Sequence, residues 1–178
     1  MSEIKKSPKK YKSRNKTASK IVDRLYIGSC EDSKDEDFFK TKNIRAVLNC
    51  SKGVPHTFCS NSEIEYMRIP VNDSLKEADF DKMFLLLPVS VEFIHKHVDI
   101  LKNNMLVNCQ AGSQRSTCVV AAYLMAKRGY TLRDACELIY EKRPEAFSYG
   151  EKINFLKTLN KFSKEIKKGS TPLRSPRS

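Results

Sequence analysis

The sequence predicts an α/β fold, with a central mixed sheet flanked by helices in a single domain. Short apolar runs with strand-like patterns recur at residues 21–28, 44–50, 64–69 and 105–108. Segments with helical spacing of apolar residues follow the first, third and fourth runs, and the last third of the chain is helical in pattern. Strands that alternate with helices are typical of a sheet covered by helices. A chain of 178 residues is about the size of one domain with tails.

The remaining elements follow from helical periodicity and from residues that end helices. A short helix is predicted at residues 35–42, and a loop at residues 51–62, where turn-forming residues accumulate. Residues 80–101 have helical periodicity, and Pro88 is expected to kink or split this helix because proline lacks a backbone donor. Three helices are predicted after the last strand, at residues 117–128, 131–143 and 148–167. Their expected end signals are Gly129, Thr131 and Pro144.

Positive charge is concentrated at the two ends of the chain. The net charge is +12, of which residues 1–20 carry +7 and residues 161–178 carry +5. We therefore predict disordered basic tails at residues 1–20 and 166–178 around a folded domain at residues 21–165. Such tails suggest weak contact with nucleic acid, an anionic membrane or an import receptor.

Several classes of protein are disfavoured by the composition. No apolar run approaches the length of a transmembrane helix, and the lysine-rich N-terminus lacks the apolar segment of a secretory signal. The six cysteines contain no C-x-x-C pair, and the histidines lack the spacing of metal ligands, so no metal is expected. These features favour free thiols and an intracellular location that is cytoplasmic, nuclear or both.

The pattern that points to chemistry lies at residues 105–117. A short apolar run leads into Cys109, five residues separate it from Arg115, and an apolar helical stretch follows. Backbone amides and a guanidinium around a thiol lower its pKa, and the same groups bind phosphate. Ser116 is expected to donate a hydrogen bond to the sulfur. The residues expected to wrap around the sulfur and bind phosphate are Gln110, Ala111, Gly112, Ser113 and Gln114.

The segment Cys109–Ser116 resembles the C-x5-R signature of the cysteine-dependent phosphatases. Its Ala-Gly-x-x-Arg-Ser form resembles that of the dual-specificity protein phosphatases in particular, and the resemblance spans about residues 21–160. It implies an enzyme without metal or cofactor that hydrolyses phosphotyrosine and phosphoserine/threonine in phosphoproteins through a cysteinyl-phosphate. It also implies an upstream aspartate as general acid. This role falls to Asp73, with Asp79 and Asp81 as rival carboxylates.

Two further expectations come from the resemblance. The family most often has histidine immediately before the nucleophile, whereas this chain has Asn108. We therefore expect a working enzyme whose thiol pKa is higher than it is with histidine. Some relatives protect the nucleophile through a disulfide with a nearby cysteine, and Cys50, at the end of a predicted neighbouring strand, is the redox candidate.

Three other functions remain as alternatives. Phosphoinositide phosphatases of the superfamily favour lysines in the loop, whereas the loop residues here are uncharged. RNA 5′-triphosphatases of the superfamily usually carry Arg-Thr-Gly after the loop, whereas this chain has Arg115-Ser116-Thr117, although its basic tails suit RNA. A non-catalytic phosphoprotein-binding module lacks the nucleophile, the arginine or the acid, and only Asn108 favours this alternative.

Overall fold

The structure of the protein, a computed structural model, describes residues 17–74, 76–147 and 155–169. The strands of these residues form one mixed sheet in the order β1-β2-β5-β3-β4. They are β1 Ser19–Val22, β2 Leu25–Gly28, β3 Ile44–Asn49, β4 Glu65–Arg68 and β5 Asn104–Asn108. β1 runs antiparallel to β2, and the other neighbouring pairs are parallel. The predicted fold class is therefore confirmed.

Helices cover both faces of this sheet. They are α1 Glu36–Thr41, α2 Glu77–Ile94, α3 Arg115–Arg128, α4 Leu132–Lys142 and α5 Leu156–Gly169. Side chains alternate between the faces along β5, because successive residues of a strand point to opposite sides. Met105 and Val107 belong to the large core beneath α2 to α5, whereas Leu106 belongs to a small aromatic cluster beneath α1. The central strand β5 is thus covered on both sides, as is typical of parallel strands.

Two helix boundaries confirm the predicted end signals. Gly129 ends α3 in the left-handed conformation, with φ of 73°. The hydroxyl oxygen of Thr131 accepts a hydrogen bond from the amide of Asp134 at 3.2 Å and so caps α4. Asp35 caps α1 in the same way through the amide of Phe38. These short-range hydrogen bonds explain why the local sequence was sufficient to place these helix ends.

Both predicted tail boundaries need correction. β1 begins at Ser19, so the predicted tail at residues 1–20 extends two residues too far. α5 continues to Gly169, so the folded domain extends beyond residue 165. Pairing with β2 and packing of α5 against the core order these positions, whereas their composition alone resembles a tail. Residues 1–16 and 170–178 of these tails and the predicted helix start at residues 148–154 lie outside the described residues.

The other differences concern helices. α2 starts at Glu77, runs through Pro88 without interruption and continues as a π-helical segment, His95–Ile100. Of the predicted kink or split at Pro88, the split is therefore wrong, and the kink stays a prediction. Leu87 and Val91 on either side of the proline are buried in the core, and this packing holds the helix together where one backbone hydrogen bond is missing. No helix of the described residues is long and apolar enough to cross a membrane.

The topology places the residues after three parallel strands at one edge of the sheet. Gly28 and Asn49, the last residues of β2 and β3, both lie beside Asn108, the last residue of β5. Cys109 therefore leaves the middle strand of this edge, between the chain segments that follow β2 and β3. Ligands of open α/β sheets bind at such carboxyl ends.

Candidate active site

Cys109 lies at the floor of a tight loop between β5 and α3. Its side chain is almost completely buried, with only 1% of its surface exposed. The amide of Gly112 donates a hydrogen bond to Cys109 Sγ at 3.2 Å, and the Ser116 hydroxyl lies 3.3 Å from the same sulfur. The sequence-predicted contact between Ser116 and the sulfur is therefore present.

The environment of Cys109 favours its ionised form. Burial by itself raises the pKa of the thiol, because a thiolate loses solvation. Hydrogen bonds from the hydroxyl and amide of Ser116, the charge of Arg115 and the amide of Gly112 all lower the pKa. Together they outweigh burial, so the thiol pKa lies below its ordinary value. A thiolate is the nucleophilic form of cysteine.

Asn108 is fully buried beside this cysteine. Its backbone carbonyl accepts a hydrogen bond from the amide of Cys50 at 2.7 Å. Neither the nitrogen nor the oxygen of its side-chain amide has a hydrogen-bond partner among the described residues. The effect of asparagine on the thiol pKa, relative to histidine, stays a prediction.

The carbonyls of residues 110–114 all accept hydrogen bonds from groups outside this segment. In a trans peptide the carbonyl and the following N–H point in opposite directions, so the amides of residues 111–115 point away from these donors, and that of Gly112 donates a hydrogen bond to the sulfur. Backbone N–H groups that converge in such a loop form an anion-binding nest. The donors are Cys30 N to Gln110 (3.1 Å), Arg143 to Ala111 (3.5 Å) and Gly112 (2.8 Å), Phe147 N to Ser113 (2.8 Å) and Cys118 N to Gln114 (2.9 Å).

Gly112 is required at the tightest point of the loop. Its φ is +68°, a conformation that other residues rarely adopt. A Cβ atom here would lie 2.5 Å from the carbonyl oxygen of Gly28 and 2.7 Å from Arg143 Nη2. A side chain at this position would therefore be strained by the backbone conformation and would force neighbouring atoms to move.

Arg115 and Asp73 lie side by side. Arg115 is the first residue of α3, and its Nη1 donates a hydrogen bond to the Val71 carbonyl at 3.1 Å. Its Nε lies 3.9 Å from Asp73 Oδ2. The structure therefore brings the loop before α2 next to the guanidinium that follows the nucleophile.

The rival carboxylates occupy different environments. Asp79 is buried in the first turn of α2, and its carboxylate accepts a hydrogen bond from the hydroxyl of Ser74. Asp81 is exposed on the same helix. Of the three carboxylates, Asp73 is the one with an ion pair to Arg115. This geometry favours Asp73 for the predicted role.

The other predicted residues divide between the rim and the interior. Gln110 and Ala111 are exposed, and the side-chain amide of Gln110 donates a hydrogen bond to Cys30 Sγ at 3.1 Å. Ser113 and Gln114 are buried. No group of three or more metal-ligating side chains occurs in the described ranges.

Sequence reasoning missed Arg143, the cation behind the loop. Its residue surface is 0% exposed, and its guanidinium reaches two carbonyls of the loop. The only local signal was a basic residue at the predicted end of a helix before Pro144. That signal gives no indication of burial, because basic residues at helix ends are usually exposed.

Comparisons with known proteins agree with this geometry. A family model described as dual specificity phosphatase, catalytic domain, matches residues 25–165. The chain therefore belongs to the dual specificity phosphatase family.

Among its relatives is dual specificity protein phosphatase 9 of Homo sapiens, which is 32% identical over 149 residues covering 83% of this chain and 36% of that protein. Dual specificity protein phosphatase Mpk3 of Drosophila melanogaster is 29% identical over 143 residues, covering 80% of this chain and 33% of that protein. The chain thus spans about a third of the length of these two relatives.

A solved structure of human DUSP28 has the same fold. Its TM-score is 0.73 at 23% sequence identity, and the match covers 84% of this chain and 95% of that chain. The structure of DUSP15 matches with a TM-score of 0.67 at 25% identity, over 91% of this chain and 99% of that chain. The fold of this chain is therefore the one found in these two structures.

Proposed function

We propose that this chain is a protein phosphatase that hydrolyses phosphotyrosine and phosphoserine/threonine through a cysteinyl-phosphate. The observation that carries the proposal is the buried sulfur of Cys109, whose pKa is depressed inside a ring of backbone amides next to Arg115. Membership of the dual specificity phosphatase family supports the same reaction.

In the first step, the Cys109 thiolate attacks the phosphorus of the substrate. A sulfur–phosphorus bond forms as the ester phosphorus–oxygen bond breaks. The loop amides and the guanidinium of Arg115 stabilise the three equatorial oxygens. The carboxyl group of Asp73, beside Arg115, donates its proton to the leaving oxygen.

In the second step, water attacks the cysteinyl-phosphate. The carboxylate of Asp73 accepts a proton from the water, and the sulfur–phosphorus bond breaks to release inorganic phosphate. The hydroxyl of Ser116, which lies 3.3 Å from Cys109 Sγ, stabilises the departing thiolate. The proton balance therefore closes with Asp73 protonated again for the next cycle.

The loop chemistry favours phosphoproteins over the two related substrate classes. None of the five residues between Cys109 and Arg115 carries a charge. Headgroups with several phosphates and 5′-triphosphates present more negative charge than one phosphate, and they favour additional cations around the pocket. A singly charged guanidinium and a ring of amides match one phosphoryl group.

The test starts with turnover of a small aryl phosphate by the wild-type protein. We expect Cys109→Ser to abolish turnover, whereas Cys118→Ser, which changes a buried cysteine of α3 outside the loop, retains it. Phosphopeptides carrying phosphotyrosine, phosphothreonine or phosphoserine are then compared with phosphoinositides and with RNA carrying a 5′-triphosphate. Faster turnover of either non-protein substrate would contradict the proposed substrate class.

We also propose that Cys50 protects the nucleophile through a disulfide. The β3–β5 register pairs Asn49 with Asn108, so the next residues, Cys50 and Cys109, lie on neighbouring chain segments. Adjacent strands are about 4.8 Å apart, within the Cα separation that a disulfide spans. Burial and the neighbouring Cys109 raise the pKa of Cys50 well above its ordinary value, so Cys109 is the thiol that peroxide oxidises first.

The oxidation proceeds in two balanced steps. The Cys109 thiolate attacks hydrogen peroxide, so that the O–O bond breaks, hydroxide leaves and a sulfenic acid forms. The Cys50 thiol then forms the disulfide bond with that sulfur, and water leaves. After peroxide treatment, dithiothreitol is expected to restore the wild type and Cys136→Ser but not Cys50→Ser, whose sulfenic acid is oxidised further. Equal recovery of Cys50→Ser and wild type would contradict the disulfide.

The remaining proposals concern location and the basic ends of the chain. All six cysteines are free thiols, which supports an intracellular location in the cytoplasm, the nucleus or both. The charge of residues 1–20 supports weak contact with nucleic acid, an anionic membrane or an import receptor. Removal of residues 1–16 is expected to weaken salt-dependent binding to RNA and to anionic vesicles, and unchanged binding to both would contradict a contact with nucleic acid or membrane.

A further inference from the structure

Arg143 is a completely buried cation directly behind the phosphate loop. It follows α4, and its residue surface is 0% exposed. Its Nε donates a hydrogen bond to the Gly112 carbonyl at 2.8 Å, and its Nη2 donates to the Ala111 carbonyl at 3.5 Å. One guanidinium thus holds two consecutive carbonyls of the loop.

The position of this guanidinium is fixed from the other side. Its Nη1 donates to the carbonyl of Ile27 at 3.3 Å and to the hydroxyl of Ser19 at 3.2 Å, which belong to β2 and β1. Glu145 supplies an opposite charge at 3.3 Å. A buried charge is costly unless it is paired and hydrogen-bonded, and these contacts provide both conditions. The planar fork of arginine allows all of them at once, whereas an ammonium cannot reproduce that geometry.

The two carbonyls that Arg143 holds control two amides. In a trans peptide, the carbonyl of one residue and the N–H of the next point in opposite directions. With the Ala111 carbonyl turned toward Arg143, the Gly112 amide faces the sulfur, to which it donates a hydrogen bond at 3.2 Å. With the Gly112 carbonyl held in the same way, the Ser113 amide turns toward the pocket.

We propose that Arg143 is a positioning residue of the phosphate loop, which aims the amides of Gly112 and Ser113 at the sulfur and at the bound phosphate. It contacts neither the sulfur nor the substrate and acts through the two carbonyls. The proposal rests on the proposed phosphatase function and extends it to a residue outside the C-x5-R segment.

The conformational freedom of the backbone at Gly112 explains why the loop needs the contact with Arg143. The glycine at position 112 gives its two flanking peptides freedom to rotate, so the loop sequence alone does not fix their orientation. The Gly28 carbonyl accepts a hydrogen bond from the Cys109 amide at 3.4 Å, and Arg143 holds the carbonyls of Ala111 and Gly112. Without the guanidinium, the peptides on either side of Gly112 lose the donors that hold their carbonyls.

The experiment compares Arg143→Met and Arg143→Lys with the wild-type protein in the full chain. Methionine keeps much of the apolar length of the side chain but donates no hydrogen bond, whereas lysine keeps the charge. The matched control is Arg128→Met, because Arg128 binds Tyr123 and Asp99 at the far end of α3 and has no contact with the loop. Thermal unfolding identifies the temperature at which every variant is folded.

Three readouts separate positioning from stability. They are the pKa of Cys109, the dissociation constant of vanadate, and kcat for an aryl phosphate. The pKa is obtained from the pH dependence of alkylation by iodoacetate, which mass spectrometry measures on the Cys109 peptide. For Arg143→Met we expect a pKa increase of about one unit, as for loss of one hydrogen bond to an anion. We also expect weaker vanadate binding and a kcat lower by about ten- to a hundredfold. This is the loss typical of residues that orient a metal-binding side chain without touching the metal. Arg143→Lys is expected to recover part of each loss.

The outcomes distinguish this proposal from the proposed function. A folded Arg143→Met protein with the wild-type thiol pKa and wild-type vanadate affinity would overturn the positioning role. The positioning role would also be overturned if Arg128→Met raised the thiol pKa and weakened vanadate binding as much as Arg143→Met does. If Arg143→Met does not fold, Arg143→Lys provides the same three measurements and the same criteria. Alkylation and vanadate binding require no turnover, so a wild-type protein without activity on any phosphate ester would contradict the phosphatase and leave the test of Arg143 intact.

Discussion

Replacement of Gly112 by alanine tests the loop geometry most directly. The left-handed backbone at this position costs a residue with a side chain about 1–2 kcal/mol. The added methyl would also lie 2.5 Å from the Gly28 carbonyl oxygen and 2.7 Å from Arg143 Nη2, and overpacking of this kind costs about 1–3 kcal/mol. The free energy of unfolding is therefore expected to fall by about 2–5 kcal/mol, a large part of the stability of a domain.

Gly129 provides a control with the same backbone conformation. Its φ is +73°, close to the +68° of Gly112, but a Cβ at Gly129 meets no atom within 4 Å. Gly129→Ala should therefore lose only the conformational contribution of about 1–2 kcal/mol and keep its activity. The difference between the two variants isolates the packing around the phosphate loop.

Urea unfolding and turnover of an aryl phosphate measure the two effects. We expect Gly112→Ala to lose about a hundred- to a thousandfold in kcat, because the loop must move and its amide donors lose their aim. Gly129→Ala is expected to keep kcat within about twofold. Gly129 is far from Cys109 in sequence, and a methyl group added there would meet no atom within 4 Å. Equal stability losses in the two variants, together with an active Gly112→Ala, would refute the packing argument.

Three further predictions follow from single contacts. Ser116→Ala removes the hydroxyl at 3.3 Å from Cys109 Sγ, so the thiol pKa should rise and the acidic limb of the kcat/KM profile should move to higher pH. Asp73→Asn removes the proton donor, so kcat for alkyl phosphates should fall about a hundred- to ten-thousandfold, with a smaller loss for aryl phosphates with good leaving groups. Thr131→Ala removes the cap that binds the Asp134 amide, so urea unfolding should show a loss of about 1 kcal/mol with unchanged kcat.

Matched variants provide the controls. Ser90→Ala changes a buried serine of α2 and should leave the pH profile unchanged, and a Ser116→Ala profile that also stays in place would contradict the hydrogen bond to sulfur. Asp81→Asn should keep full activity. A greater loss of activity in Asp81→Asn than in Asp73→Asn would contradict the assignment of Asp73 as the general acid. Thr131→Ser keeps a capping hydroxyl, so its stability should match that of the wild type. If Thr131→Ser lost as much stability as Thr131→Ala, the loss could not be attributed to the helix cap.

The pH dependence of stability provides a related check on Cys109. Its pKa is depressed in the folded protein, so ionisation of the thiol stabilises the fold at high pH, and this contribution is lost as the pH falls through the folded pKa. The stability of the wild type relative to Cys109→Ser should therefore rise as the pH increases toward the ordinary thiol value of 9.0. A difference that stays constant over this range would contradict a depressed pKa.

The elements that the sequence predicted well depend on neighbouring residues. The strand–loop–helix unit around Cys109 was recognisable because its nucleophile, glycine and arginine lie within seven consecutive positions. Gly129 and Thr131 placed helix ends through hydrogen bonds that span only a few residues. At Pro88 the helix is not split, because packing of the flanking residues in the core maintains a helix that proline weakens.

Asp73 shows where local information becomes insufficient. The sequence offered this aspartate together with Asp79 and Asp81, and the resemblance to a family favoured the first. The sequence does not determine which carboxylate approaches Arg115. The distance between a carboxylate and the guanidinium depends on how the loop before α2 folds over the carboxyl edge of the sheet. The structure gives a separation of 3.9 Å from Asp73 Oδ2 to Arg115 Nε.

The sequence by itself therefore determined the fold class and the thiol-centred phosphate loop, because alternating polarity and closely spaced residues act over short range. Only the tertiary structure decided which carboxylate lies beside Arg115 and that Arg143 is buried behind the loop. These relations join residues that are about 30 or more positions apart, and they arise only when strand register and helix packing bring distant segments together.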